Sequence, residues 1–156
     1  PVILMLDNEI DSGDKKPIGD FLKYSKIEDK KKKDLKEKYY VNIIDNLYLL
    51  TTPLIRGKTE SDIEDLFDDI TLSHKIGDRT FTKKDTYDTS KYYGKEIFSK
   101  YILKNYSSIN FTNFKSTLDN IDNIINTYRN GSAGARHYLD VKNIDKSRAD
   151  KVLLEI

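Results

Sequence analysis

The sequence predicts an α/β domain in which a short, mostly parallel sheet is flanked by helices. Two observations carry this prediction. Residues 2–6 form a continuous apolar run that ends in a polar turn, a pattern typical of a buried strand in a parallel sheet. Amphipathic segments with helical spacing then alternate with further short apolar runs. A chain of 156 residues is long enough to form one such domain with its own core.

The first helix and two further strands follow this run. Pro17 fits the first position of a helix over 17–24, whereas the charged residues 25–38 are expected to form a solvated loop or the end of a helix. Strands are predicted at 39–44 and 47–52. The dipeptide Asp45-Asn46 between them is typical of a turn.

The middle of the chain predicts a helix over 61–72. Four apolar residues in it recur at i, i+3, i+4 and i+7, which places them on one helical face. Ser61 followed by Glu64 matches the pattern of a capping box. Residues 73–90 are polar and are expected to form a loop that carries a small hairpin.

Two more helices, at 91–105 and 112–129, complete a domain that spans residues 1–130. The small residues of 131–134 are typical of a linker. Residues 135–156 are then expected to be a tail or a fused partner segment.

Composition excludes several classes of protein and of site. No apolar run approaches the length of a membrane helix, so we expect no membrane partner. Pro1 opens directly into an apolar run without a basic segment or cleavage site, so we expect no signal peptide and a cytoplasmic location. The chain has no cysteine and two histidines, which excludes thiolate and histidine-rich metal sites. A metal site must therefore use carboxylates, which favours Mg²⁺, Mn²⁺ or Ca²⁺.

Charge is balanced in total but clustered along the chain. The net charge of +1 gives no general attraction to nucleic acid. Lysines occupy 30–33, and six acidic residues fall between Glu60 and Asp69. The lysine run is expected to be a solvated face, with a phosphate-contacting patch as the alternative.

Asp7, Glu9 and Asp11 come directly after the first strand. The carboxyl ends of parallel strands are where α/β sheets bind ligands, and carboxylate oxygens suit Mg²⁺. Gly13 permits the turn that would bring them together. The alternative is a polar turn without a ligand.

Three other residues are candidates for chemistry. Glu64 is either a metal ligand or only the partner of Ser61 in a helix cap. Lys95 would stabilise charge that develops on a phosphate, unless it is an ordinary exposed lysine of a helix. His74 would contact a phosphate or act as a base, unless it is an ordinary loop histidine. No P-loop, dinucleotide-binding or serine-hydrolase motif occurs.

Short motifs occur along the chain in a specific order. They are the strand and acidic turn of 2–13, then 46–53, 63–68, 77–81, 93–98 and 109–114. In this order they resemble the C-terminal TOPRIM-like domain of retron-type reverse transcriptases, which is related to the TOPRIM domains of OLD-family nucleases. The resemblance covers about residues 1–128.

This resemblance implies a nuclease, a divalent-metal-dependent phosphodiesterase of anti-phage defence that uses Mg²⁺ or Mn²⁺. It assigns Asp7 and Glu9 to the family's D-x-D ligands, the acid at Glu64 to a later ligand, and Lys95 to the catalytic lysine. Asp11 is the alternative to Glu9, because two residues look inserted before the family's glycine.

The resemblance also implies two partners. They are a nucleic acid substrate, DNA rather than RNA, and the reverse-transcriptase domain of the same polypeptide. TOPRIM domains begin with a strand that ends in a Glu-Gly pair, whose Glu is a general acid or base. No Glu-Gly pair occurs in this sequence. We therefore expect this chain to lack the first strand, which leaves open whether it is active alone.

Two other functions fit the same residues. One is a non-catalytic module that keeps the TOPRIM fold and binds a protein partner or nucleic acid through a tyrosine-rich surface. The other is a phosphatase-like or response-regulator-like domain, suggested only by the Asp-rich turn. Convergence of Asp7, Glu64 and one acid of the turn would favour the nuclease, whereas a Glu64 that only caps its helix would weaken it.

Overall fold

The computed structural model describes residues 1–12, 16–55 and 57–135, with side chains as far as Gly131. Gly13 and all of the predicted tail except residue 135 lie outside these ranges. Within the described residues the fold is a mixed α/β structure of five α-helices and two three-stranded sheets. The predicted α/β class is therefore confirmed.

The first sheet is mixed. Its strands are β1 (Val2–Leu6), β2 (Tyr40–Ile44) and β3 (Leu47–Thr51), in the order β1-β3-β2. β1 and β3 are parallel, whereas β2 and β3 are antiparallel, so the prediction of a mostly parallel sheet is wrong. The reason is the two-residue turn at Asp45, whose φ is +44°, because so short a connection joins only antiparallel neighbours.

Helices cover both faces of this sheet. On one face lie α1 (Pro17–Tyr24) and α2 (Asp29–Lys38), so the charged segment is mainly helical. On the other face lies α5 (Lys115–Ala135), whose Ile124 is fully buried. The core towards α1 and α2 consists of Ile18, Leu22, Ile27, Leu35, Val41 and Leu49. Since successive residues of a strand face opposite ways, Leu50 packs towards α5.

The second sheet holds an aromatic core against α4 (Lys95–Asn105). Its strands are β4 (Lys75–Ile76), β5 (Arg79–Phe81) and β6 (Tyr92–Tyr93). β4 and β5 form a hairpin across Gly77, at a φ of +63°, which confirms the small hairpin predicted within 73–90. β6 pairs in parallel with β5. The rings of Phe81 and Phe98 stack with centroids 4.2 Å apart.

The single helix predicted over 61–72 is wrong. The segment forms a 3₁₀ turn, Ile63–Leu66, and a short helix α3 (Asp69–Leu72). Two aspartates explain the break, because Asp62 accepts from the Asp65 N–H and Asp68 from the Thr71 N–H, so each starts its own helical turn. The capping box is formed by Asp62 with Asp65, not by Ser61 with Glu64.

Two helix boundaries also differ from the prediction. α4 begins at Lys95 rather than at residue 91, because residues 92–93 pair with β5 and Gly94 is the extended N-cap. α5 continues through 131–134, so these residues are helical where a linker was predicted. A formed helix propagates easily, and glycine weakens it by only about 1 kcal/mol per residue. None of the described helices is both long and apolar enough to cross a bilayer.

Candidate active site at the ends of β1 and β3

Asn8 fixes the turn that follows β1. Its backbone exchanges two hydrogen bonds with Ser61, with N···O distances of 2.7 and 2.9 Å. Its side-chain amide donates to the Thr52 carbonyl oxygen at 3.0 Å. All three residues are almost fully buried. This network ties the end of β1 to the end of β3 and to the 3₁₀ turn, and it places Asp7 and Glu9 at that edge of the sheet.

Glu64 and Lys95 form an ion pair at the same edge. The Lys95 Nζ lies 3.0 Å from the Glu64 Oε2, and the Glu64 residue is only 8% exposed. Glu64 takes no part in the capping box, so its carboxylate faces Lys95 instead of serving its own helix. Partial burial opposes the charge of Lys95, but the hydrogen bond and the charge of Glu64 raise the pKa of this lysine above its ordinary value.

Gly94 is the N-cap residue of α4 and directly precedes Lys95. A Cβ added to Gly94 would lie 2.6 Å from the Tyr87 hydroxyl oxygen. Backbone and tyrosine thus approach more closely than any other residue type would allow without a shift. The contact is with the outer end of the Tyr87 side chain, so a larger residue at position 94 would require that ring to shift.

Asp7 lies among like charges. Partial burial raises the pKa of Asp7 above its ordinary value, and the negative charges of Asp62, Glu64 and Glu9 act in the same direction. The charge of Lys95 opposes them. A cation bound at this point would relieve the repulsion among the carboxylates, whereas an apolar or anionic ligand would not.

Asp65 lies next to this group and has a structural role. It is 4% exposed and accepts hydrogen bonds from the ammonium groups of Lys58 and Lys83, the latter at 2.7 Å. Its second oxygen accepts from the Asp62 N–H at 3.2 Å. Burial opposes ionisation of Asp65, but these hydrogen bonds hold its pKa at about 2. Lys83 also binds the Asp62 carboxylate at 2.9 Å, so it connects Asp65 with the acids around Asp7.

The other two acids of the predicted ligand set each have a lysine partner. Glu9 binds Lys16 at 2.6 Å and lines a cavity of about 440 Å³ that Lys58 and Lys83 also line. Asp11 binds Lys36 of α2 at 2.5 Å, and its side chain is 64% exposed. Asp11 is not among the charges that shift the pKa of Asp7.

The structure therefore pairs Glu64 with Lys95 and places both close enough to Asp7 for their charges to act on it. Glu9 stays at the edge of the group in its pair with Lys16, and Asp11 is instead paired with Lys36 of α2. The structure adds Asp62, which the sequence marked only as one acid in a run of six. Among the residues that the structure describes, no three acidic or histidine side chains converge as a ready-made metal site.

The chain matches no protein-family model and shows no significant similarity to a solved structure.

Proposed function

We propose that this chain is a divalent-metal-dependent nuclease module of the TOPRIM type. The observation that carries the proposal is the Glu64–Lys95 ion pair beside Asp7, at the carboxyl end of a parallel strand. Metal-dependent phosphodiester cleavage uses carboxylates to hold a cation and is aided by a positive group that balances charge on the phosphate. The site supplies both kinds of group within one electrostatic environment.

The donor chemistry of the site suits Mg²⁺ or Mn²⁺. Asp7, Asp62 and Glu64 offer only carboxylate oxygens, which are hard ligands, and their repulsion at Asp7 favours a cation. A bound divalent ion would supply an activated water and stabilise the leaving oxygen. Lys95, which its neighbours keep protonated, would balance the negative charge that develops on the phosphate.

The biological setting of the proposal comes from the order of the motifs. We propose that the chain belongs to a bacterial retron-type reverse transcriptase, acts in anti-phage defence, has DNA rather than RNA as its substrate and works beside the reverse-transcriptase domain of the same polypeptide. Supporting this, the acidic turn, the segment with Glu64 and the Gly94-Lys95 pair come from three distant parts of the sequence and meet at one edge of the fold.

Calorimetric titration with Mn²⁺ tests the site directly. We expect saturable binding by the unaltered chain and at least about tenfold weaker binding by Asp7→Asn and by Glu64→Gln, since loss of even an indirect supporting group costs about 10–100-fold in metal affinity. Asp11→Asn is the matched control: it removes one carboxylate from the same turn, but this carboxylate is exposed and bound to Lys36. Equal affinities of all three variants would contradict the proposal.

The non-catalytic alternative has one observation in its favour. The carboxylates of Glu9 and Glu64 each already bind a lysine, as expected in a site that has kept its charges without a metal. If the unaltered chain does not bind Mn²⁺, this alternative becomes the better account, because the ion pairs then serve only to position the surface.

A further inference from the structure

A second cavity lies on the side of α4 opposite to Lys95. It has a volume of about 420 Å³ and is lined by His74, which lies between α3 and β4, by Ile76 of β4 and by one face of α4. Lys104 follows Lys95 by nine residues, which is half a turn around the helix and about 13 Å along its axis. The two surfaces therefore share a helix but face different ways.

A stacked pair of rings forms one wall of this cavity. The imidazole of His74 and the ring of Tyr101 are nearly parallel, with centroids 4.0 Å apart and 12° between the planes. A partly buried hydrogen bond holds the backbone of His74, because the hydroxyl of the fully buried Tyr93 donates to the His74 carbonyl oxygen at 2.6 Å. Ile76 and Ile97 provide apolar lining beside the rings. The wall is thus a flat aromatic surface, and a hydrogen bond holds the backbone beneath it in place.

Two lysines lie at the cavity, one helical turn apart. Lys104 makes no ion pair with any residue in the described part of the chain. Lys100 binds Glu96 at 2.6 Å, but both side chains are largely exposed, at 70% and 82%. An exposed pair of this kind contributes little and is readily exchanged for another anion. Both ammonium groups are therefore accessible to an anionic ligand.

We propose that this cavity is a binding site for single-stranded nucleic acid. Backbone phosphates bind Lys100 and Lys104, and an unpaired base packs against the Tyr101–His74 stack. Flat aromatic groups beside cations are the combination that binds single strands without sequence preference, because every base has a stacking face. An acidic peptide would use the lysines but leave the rings without a matching partner. The inference rests on the proposed function for its ligand class and adds a contact outside the cleavage site.

Fluorescence anisotropy with a labelled oligothymidine of about 20 nucleotides, in EDTA, tests this site. We expect the double variant Lys100→Ser/Lys104→Ser to bind about tenfold more weakly at low salt. Each phosphate contact in a single strand contributes about 0.7 to the slope of log affinity against log salt, so the slope should become shallower by about 1.4. The control is Lys91→Ser/Lys115→Ser, which removes the same charge from lysines that are 73% and 75% exposed elsewhere.

Four results would overturn the inference. They are no binding by the unaltered chain, equal loss of affinity in both double variants, a duplex that binds as tightly as the single strand, and equal competition by polyglutamate, which would assign the cavity to acidic protein segments. Because EDTA removes divalent cations, the oligonucleotide titration does not depend on the metal binding that the nuclease proposal requires. Failure of Mn²⁺ to bind does not affect the oligonucleotide titration, and weak oligonucleotide binding does not affect the Mn²⁺ titration.

Discussion

Replacing Lys95 with methionine is expected to lower the rate of Mn²⁺-dependent cleavage of DNA by about 100- to 1,000-fold, the usual cost of removing one group that stabilises charge in a transition state. Methionine keeps most of the aliphatic length of lysine but carries no charge. Lys95→Arg should retain part of the activity, since it preserves the charge but not the compact ammonium that fits beside Glu64. The measurement is the initial rate of cleavage of a labelled single strand and of plasmid DNA.

Two controls separate chemistry from folding in this experiment. Lys91→Met removes a lysine that is 73% exposed and only four residues from Lys95 in the sequence. The chain with this substitution should cleave DNA at the unaltered rate. Lys95→Met leaves the Glu64 carboxylate without its lysine, so the far-ultraviolet circular dichroism and the unfolding midpoint of each variant are measured alongside. Unaltered cleavage by a folded Lys95→Met chain would exclude Lys95 as the catalytic residue.

Local signals account for the parts of the fold that the sequence predicts well. β1 is an uninterrupted apolar run, α1 begins at Pro17, and β2 and β3 are joined by a two-residue turn, so each depends on neighbours in sequence. Elements that depend on distant partners were missed. β6 has only two residues and exists because it pairs with β5. α2 was missed for another reason: Leu35 is its only buried residue, so its sequence shows no apolar stripe.

The segment 61–72 shows how a correct local pattern can predict the wrong structure. Its apolar spacing is helical, yet Ile63 is 45% exposed and Ile70 is 83% exposed. Asp62 and Asp68 cap two separate turns, and the cap at Asp68 competes with continuation of the 3₁₀ turn before it. The spacing of the apolar residues does not reveal this competition, and the two aspartate caps break the predicted helix into two turns.

The residues of the candidate site also fall into two groups, those that the sequence identified and those that only the structure reveals. Asp7, Glu64 and Lys95 stand in short motifs whose order is informative, and the structure gives them a common electrostatic environment. Asp62 was not distinguished from the acids around it, because its nearness to Asp7 arises only when Asn8 and Ser61 pair. Lys83 and Asp65 are 18 residues apart in the sequence, so no local sequence pattern predicts their contact.

Asp65→Ala is expected to lower the free energy of unfolding by about 2–3 kcal/mol. The substitution removes one of the two hydrogen bonds of the capping box, the one that the Asp65 carboxylate accepts from the Asp62 N–H, which is worth about 1 kcal/mol. It also removes the hydrogen bonds from two ammonium groups. Lys58 and Lys83 are 41% and 36% exposed, so water partly replaces the lost carboxylate and keeps the cost below that of a fully buried pair. Urea unfolding at pH 7 measures the difference.

The same variant predicts a pH dependence whose direction follows from the pKa. The Asp65 carboxyl has a pKa of about 2 in the folded chain, below the ordinary value of 3.8, so its contribution to stability is present above pH 3.8 and is lost as the pH falls towards 2. The difference in unfolding free energy between the unaltered chain and Asp65→Ala should therefore be constant from pH 7 to about pH 5 and shrink below pH 4. Asp29→Ala is the control, because Asp29 is 99% exposed and binds one lysine at 3.3 Å, and it should cost less than about 0.5 kcal/mol. A difference for Asp65→Ala that is as small as this, or that does not change between pH 5 and pH 2, would show that Lys58 and Lys83 do not stabilise the fold through this carboxylate.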